Sequence, residues 1–274
     1  MNQTINILNF LLLLLYFSVF YSYFLDFKRD DKKFFVVKRV LLFVTILYST
    51  VFLTILSLQL GHLPITNKFE IFSLIAFSVL FTYFLLELLS DIRGTGFFIV
   101  GIGLIFQIIS VLFFKMETEV PDALKNFPLS SHVVTAILSY TAFSISSAYA
   151  LMYIVLFKKL KTSRFDMFFQ KLPNLEILEK LAFLSSLIGF ILLTFSVIIG
   201  LIWLPRVFTN FSYFDPKLVS TVMVWIFYGV TIFIKFFGNL YGKKLILFLL
   251  LDFIVAVLAV VTSSVFQSSF HTFG

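Results

Sequence analysis

The stretch at residues 182–203, AFLSSLIGFILLTFSVIIGLIW, runs for 22 residues without a charged side chain. At 1.5 Å per residue it makes about 33 Å of α-helix, enough to cross a hydrocarbon layer of about 30 Å. Its apolar residues do not alternate, so it does not read as a barrel strand. In lipid the remaining way to satisfy every backbone N–H and C=O is a helix. The whole chain has this character: 274 residues, 60% hydrophobic, 13% charged, mean hydropathy +1.05. Ordinary soluble domains carry roughly a quarter charged residues, so this chain cannot cover itself with polar groups in water.

Working outward, similar runs fall at roughly 4–26, 40–60, 70–90, 96–115, 132–157, 219–237 and 245–266, which with 182–203 makes eight spans. Residues 1–7 carry no Lys or Arg and no small-residue cleavage site follows, so the first run reads as a retained span. The expected fold is an all-α polytopic membrane helix bundle, one integral-membrane domain over 1–274.

The connecting segments assign sides. One side receives 27–39, Arg93, 158–180 and the turn between the last two spans, holding sixteen of the 21 Lys and Arg; the other side receives five. The positive-inside rule places the richer side in the cytoplasm and both termini outside. The net charge of +7 thus reads as topology, with no nucleic-acid partner. Segment 158–180 sets Phe165, Phe168, Phe169 and Leu172 among cations, which suits the inner membrane surface. No half of the chain repeats, and no pair of spans is broken by Gly and Pro, which argues against a transporter.

There is no cysteine, which excludes disulfides and covalent thiol catalysis. The three histidines, His62, His132 and His271, all fall on the outer side. So does Arg206–Ser220, RVFTNFSYFDPKLVS, a loop crowded with aromatics. Within it Asp215 and Pro216 form an ordinary helix start, as N-cap and first helical residue. Two neutral imidazoles can supply both axial ligands of a haem iron, and a flat apolar surface with a cation for the propionates completes such a site. Phe208 and Phe214 offer the surface; Arg206 or Lys217 offers the cation. A plainer reading stands beside this: interface histidines and aromatic belts are common in membrane proteins, and His62 can simply fix the turn before Pro64.

Five stretches together carry a family resemblance. GHLPITNKFE (61–70) resembles Gly-His-x-Pro-x-x-Asn-x-x-Glu after a second span; HVVTAILSYTAFSISSAYALMYIV (132–155) resembles a span beginning with His. Residues 172–203, with Leu-Glu, Gly-Phe, Leu-Thr and Gly-x-x-Trp, FDPKLVSTVMVWIFYG (214–229) and FHTFG (270–274) continue the match in order. The set resembles the cytochrome c assembly membrane proteins, the haem-handling group that includes CcsA-type and HemX-like members. The resemblance implies haem b held at the outer face between His132 and His271, over the aromatic loop beside Asp215. It implies attachment of that haem to apocytochrome c, a separate membrane partner of the system II maturation complex, and a bacterial inner (cytoplasmic) membrane location. The alternative it implies is a non-catalytic HemX-like factor acting on haem-biosynthesis enzymes. The chain departs from the family pattern at the loop's three Trp positions, occupied by Phe208, Ser212 and Phe214, and at the seventh-span His, where Phe233 stands.

Overall fold

The computed structural model describes residues 2–29, 32–65, 67–90, 95–115, 127–162, 172–207 and 214–265. Among the described residues all regular structure is helical: α1 (Asn2–Arg29), α2 (Lys32–Leu60), α3 (Lys68–Ser90), α4 (Gly96–Leu112), α5 (Phe127–Lys161), α6 (Leu175–Val207), α7 (Pro216–Phe237) and α8 (Gly242–Val265). They coincide with the eight expected runs. Among the described residues six helices (α1, α2, α3, α5, α6 and α7) are long and apolar enough to cross a membrane; α4 is a shorter apolar helix. Large apolar side chains such as Phe10, Leu14, Leu47, Ile198 and Val230 lie exposed along their flanks, as expected of a surface solvated by lipid. The chain is a multi-pass membrane protein.

Several helices are longer than the apolar runs that announced them, because local capping chemistry rather than hydropathy sets their ends. Asn174 caps α6, its Oδ1 accepting from Ile177 N–H at 2.9 Å. Asn67 caps α3: its Oδ1 accepts from Glu70 N–H at 2.9 Å while its Nδ2 donates to Glu70 Oε1 at 2.8 Å. That exchange accounts for the spacing of Asn and Glu in GHLPITNKFE. At α5 the helix opens on Phe127 with Pro128 in its first turn, so His132 lies one turn inside the helix rather than opening it. Of segment 158–180, expected to lie along the membrane surface, residues 158–161 belong to α5 and 175–180 to α6; Phe165, Phe168 and Phe169 lie outside the described residues.

The helices form two compact units, the first holding α1–α4 and the second α5–α8. In the first, helices contact one another in the cyclic order α1, α2, α3, α4 and back to α1. The pairs run antiparallel. Gln107 near the end of α4 donates to Asn9 near the start of α1 at 2.8 Å, while Phe97 at the start of α4 stacks on Phe27 at the end of α1. At the end where α1 and α3 finish, a charged cluster is enclosed. Lys38, 1% exposed, bonds Asp26 at 2.6 Å and lies 3.8 Å from Glu87, which also accepts from the Tyr23 hydroxyl at 2.7 Å. Arg39 completes the cluster, 3.7 Å from Glu87. These cations had read as loop charges; they lie two turns inside α2.

In the second unit α5 and α6 pack antiparallel along most of their length. Ser146 donates to the Ala182 carbonyl at 2.8 Å and Ser139 to the Gly189 carbonyl at 2.7 Å. Both partners step by seven residues, the spacing of a helix seam packed at a shallow crossing angle. Small residues let the backbones close: a Cβ on Gly189 would strike the Phe143 ring and stand 3.1 Å from the Ser139 carbonyl oxygen. On the other side of α6, Trp225 of α7 donates its indole N–H to Thr194 at 2.8 Å and stacks on Phe190. Glu179 of α6 ties down the α7–α8 turn, accepting from Lys235 Nζ at 3.1 Å and from Gly242 N–H at 2.9 Å.

Candidate functional site

The α5–α6 seam continues by one more step of seven residues on each helix, to His132 and Ser196. His132 Nδ1 lies 2.8 Å from the Ser196 carbonyl oxygen and 3.0 Å from its hydroxyl, which in turn donates to the His132 carbonyl at 2.9 Å. A carbonyl only accepts, so Nδ1 carries the hydrogen and Nε2 keeps its lone pair. These contacts set the tautomer and hold the ring on its Nδ1 side. An imidazole whose far N–H is held by a backbone carbonyl is the usual arrangement of a metal-ligating histidine.

Arg206 stands near the end of α6, exposed, its guanidinium 5.0 Å from the Trp203 ring centroid. It follows Ser196 by ten residues, or about 15 Å of helical rise. Helix α6 runs on through Pro205 to Val207, so the start of the expected loop is helical. The loop ends where α7 begins, at Pro216, with Val219 N–H donating to the Asp215 carbonyl at 2.9 Å. Asp215 is the N-cap residue and is 4% exposed, whereas its neighbour Phe214 is 89% exposed. Phe208 and His271 lie outside the described residues.

His62 belongs to the first unit. It follows Gly61, whose φ of +74° turns the chain sharply out of α2 in a conformation that side chains rarely adopt. The imidazole is 7% exposed; its Nδ1 contacts the Leu63 carbonyl at 2.7 Å, and its Nε2 is enclosed without a hydrogen-bond partner. The Nδ1 contact is what a turn-fixing histidine makes. The bare Nε2 has no part in fixing the turn.

Two polar features escaped the sequence reading. The Asp26–Lys38–Glu87 cluster was hidden because its cations counted as loop residues, although Asp26 inside an apolar run was a usable signal. Asp252, enclosed in α8 at 1% exposure, was hidden by the apolar average around it. Among the described residues no group of three or more His, Asp or Glu could hold a bare metal ion. A porphyrin brings four nitrogens of its own and asks the protein for one or two imidazoles.

The apolar helices among the described residues define a polytopic membrane helix bundle, with the imidazole of His132 held in the α5–α6 seam. The Cytochrome C assembly protein family matches residues 4–271, and the chain belongs to that family. It is similar to Protein HemX of Brevibacillus brevis, 28% identical over 241 residues, covering 82% of this chain and 84% of that one. Protein HemX of Bacillus subtilis (strain 168) is 26% identical over 225 residues, 81% of each chain. Cytochrome c biogenesis protein CcsA of Guillardia theta is 25% identical over 236 residues, 79% of this chain and 78% of its own.

Proposed function

We propose that this protein acts in cytochrome c assembly by holding haem b at the outer membrane face, with both termini on that side, for attachment to apocytochrome c. Its setting is the bacterial inner membrane, and its working partner is another membrane protein of the system II maturation complex. The observation that carries the reading is the His132–Ser196 contact, which leaves a neutral imidazole with Nε2 unclaimed by the fold. His271 is the second axial ligand. Phe208 and Phe214 supply apolar surface for the macrocycle, with Asp215 holding that segment at the head of α7. Arg206 pairs with a propionate, and His62 stands as a further imidazole on the same membrane side.

Bound haem supplies the vinyl groups that react with the thiols of the apocytochrome. The chain's own residues bind and orient; having no cysteine, it forms no thioether or disulfide itself. Positioning of this kind speeds a reaction by holding the reacting groups in register. The test is the absorption spectrum of the purified protein. Wild type should show a low-spin, bis-imidazole spectrum. His132→Gly and His271→Gly should each lose it or convert it to high spin, and added imidazole should restore part of it by filling the vacated position. Protein that carries no haem, or two variants with unchanged spectra, would refute the assignment.

A second reading has its own support: two of the similar proteins are named HemX, the tryptophan positions of the loop are Phe and Ser, and Phe233 stands for the seventh-span histidine. In it the protein influences haem-biosynthesis enzymes without attaching haem. Deleting the gene separates the two: loss of c-type cytochromes with normal haem synthesis supports attachment, and altered tetrapyrrole levels with normal cytochromes support the HemX-like role.

A further inference from the structure

Asp252 lies ten residues into α8 and Tyr228 nine residues before the end of α7, so each is about 15 Å from the α7–α8 turn by helical rise. That is mid-membrane depth. Both side chains are enclosed, and both Asp252 Oδ2 and Tyr228 Oη lack a hydrogen-bond partner. The carboxyl shares a side-chain hydrogen bond with Thr231, and its charge is felt at Tyr228. The Tyr228 ring is stacked on Phe143 of α5 at 3.6 Å, so the phenol cannot swing away to find another partner. Tyr140 of α5 acts on the same phenol and shares a hydrogen bond with Thr221, near the start of α7.

An ionised carboxylate here would need a cation. From α7 the groups facing Asp252 are Tyr228 and Thr231; Tyr140 of α5 faces Tyr228. At this end of α6 and α7, Glu179 and Lys235 are bound to each other, with Lys235 also over the Tyr241 ring at 3.5 Å. A membrane-embedded acid without a counter-ion is stable only with its proton on. A neutral acid has an O–H to donate, and the open phenol oxygen can take it through one water.

We propose that Asp252 is a proton-binding site within the second helix bundle. The carboxyl is held by Thr231 and exchanges its proton along a line of hydroxyls, Tyr228 then Tyr140 and Thr221, toward the end where α7 begins. One O–H bond breaks at the carboxyl as another forms at a hydroxyl or water, and nothing is oxidised. The ligand is a proton; the site is separate from His132 and does not depend on haem.

Infrared spectroscopy of the full chain in lipid tests this. The carbonyl band of a protonated carboxylic acid should be present at neutral pH, bleach as pH rises, and vanish in Asp252→Asn. Isotope-labelled aspartate should shift that band in the unsubstituted protein, which secures the assignment even if Asp252→Asn fails to fold. Hydrogen–deuterium exchange of the band should slow on the order of tenfold in Tyr228→Phe, as for loss of a relay group. A missing aspartate-dependent band overturns the proposal, as does unchanged exchange in Tyr228→Phe. Bleaching of the band by sodium at constant pH overturns it in favour of a metal-cation site.

Discussion

His132 and Lys38 are two basic side chains held between helices, and the fold treats them differently. At His132 the Ser196 carbonyl does the orienting, and the hydroxyl contact at 3.0 Å is an addition to it. Ser196→Ala should therefore keep the ring in place and keep any haem. Its stability cost should be about 0.6 kcal/mol, typical of one interhelical side-chain hydrogen bond in a membrane; denaturant titration in detergent measures it. Lys38 is bonded to Asp26 at 2.6 Å and near Glu87, with almost no exposure. Lys38→Met strands the Asp26 carboxylate and should cost about 3–5 kcal/mol, whereas pairing it with Asp26→Leu should recover much of the loss. If the single and double variants are equally destabilised, the Asp26 carboxylate is not held by Lys38. Asp215 was legible in the sequence as a helix start, because a cap is a local event. Lys38 was not: its partner is twelve residues away on another helix, and a count of basic residues per loop cannot see a pairing. Asp252 was missed for a related reason, since one carboxyl barely moves the mean hydropathy of its run.

At the scale of the element, the α5–α6 seam explains why the second unit holds a histidine in place. Its rungs at 132, 139 and 146 meet 196, 189 and 182, and the middle rung is the tightest because Gly189 lies against Phe143. Gly189→Leu should force the helices apart, costing on the order of 1–3 kcal/mol as overpacking does. It should also loosen His132 one rung away, so thermal melting and haem retention should fall together. Retention of a wild-type melting temperature would show that the seam tolerates a side chain there. The seven-residue steps of Ser139 and Ser146, and of Ala182, Gly189 and Ser196, are visible in the sequence. Which step faces which is not, because register between two helices is a property of the pair. The helices were readable to within a turn or two where Asn or Pro marks an end.

For the whole molecule, topology is the governing expectation, since it decides whether the histidines share a side. Sixteen of 21 basic residues fall on the side assigned to the cytoplasm. Reporter fusions after Thr162 and Asn239 should report cytoplasm, and fusions after His62 and Phe214 should report the outer side. A cytoplasmic signal at His62 or Phe214 would move the proposed haem site to the wrong face. Hydropathy and charge alone carried the bundle. The family was legible from five short stretches in order, each of them weak by itself. The ligand pair was legible only through that resemblance: composition marks histidines as scarce, while the seam that orients His132 appears only when α5 and α6 are laid together.

That seam also limits how the second unit can go wrong. Each rung is seven residues, about 10 Å, from the next. If α5 slides against α6 by less than a full step, serine hydroxyls meet bulky side chains and the Gly189 notch no longer receives Phe143. A full step would bring small residues back together but would carry His132 away from Ser196 by the thickness of a helix. Misalignment is thus quantised, with no graded series of nearly right arrangements. Two helices that enter the lipid separately can tell a correct docking from a wrong one by a wide margin, and a chain so rich in interchangeable Phe, Leu and Ile needs such a vernier more than most.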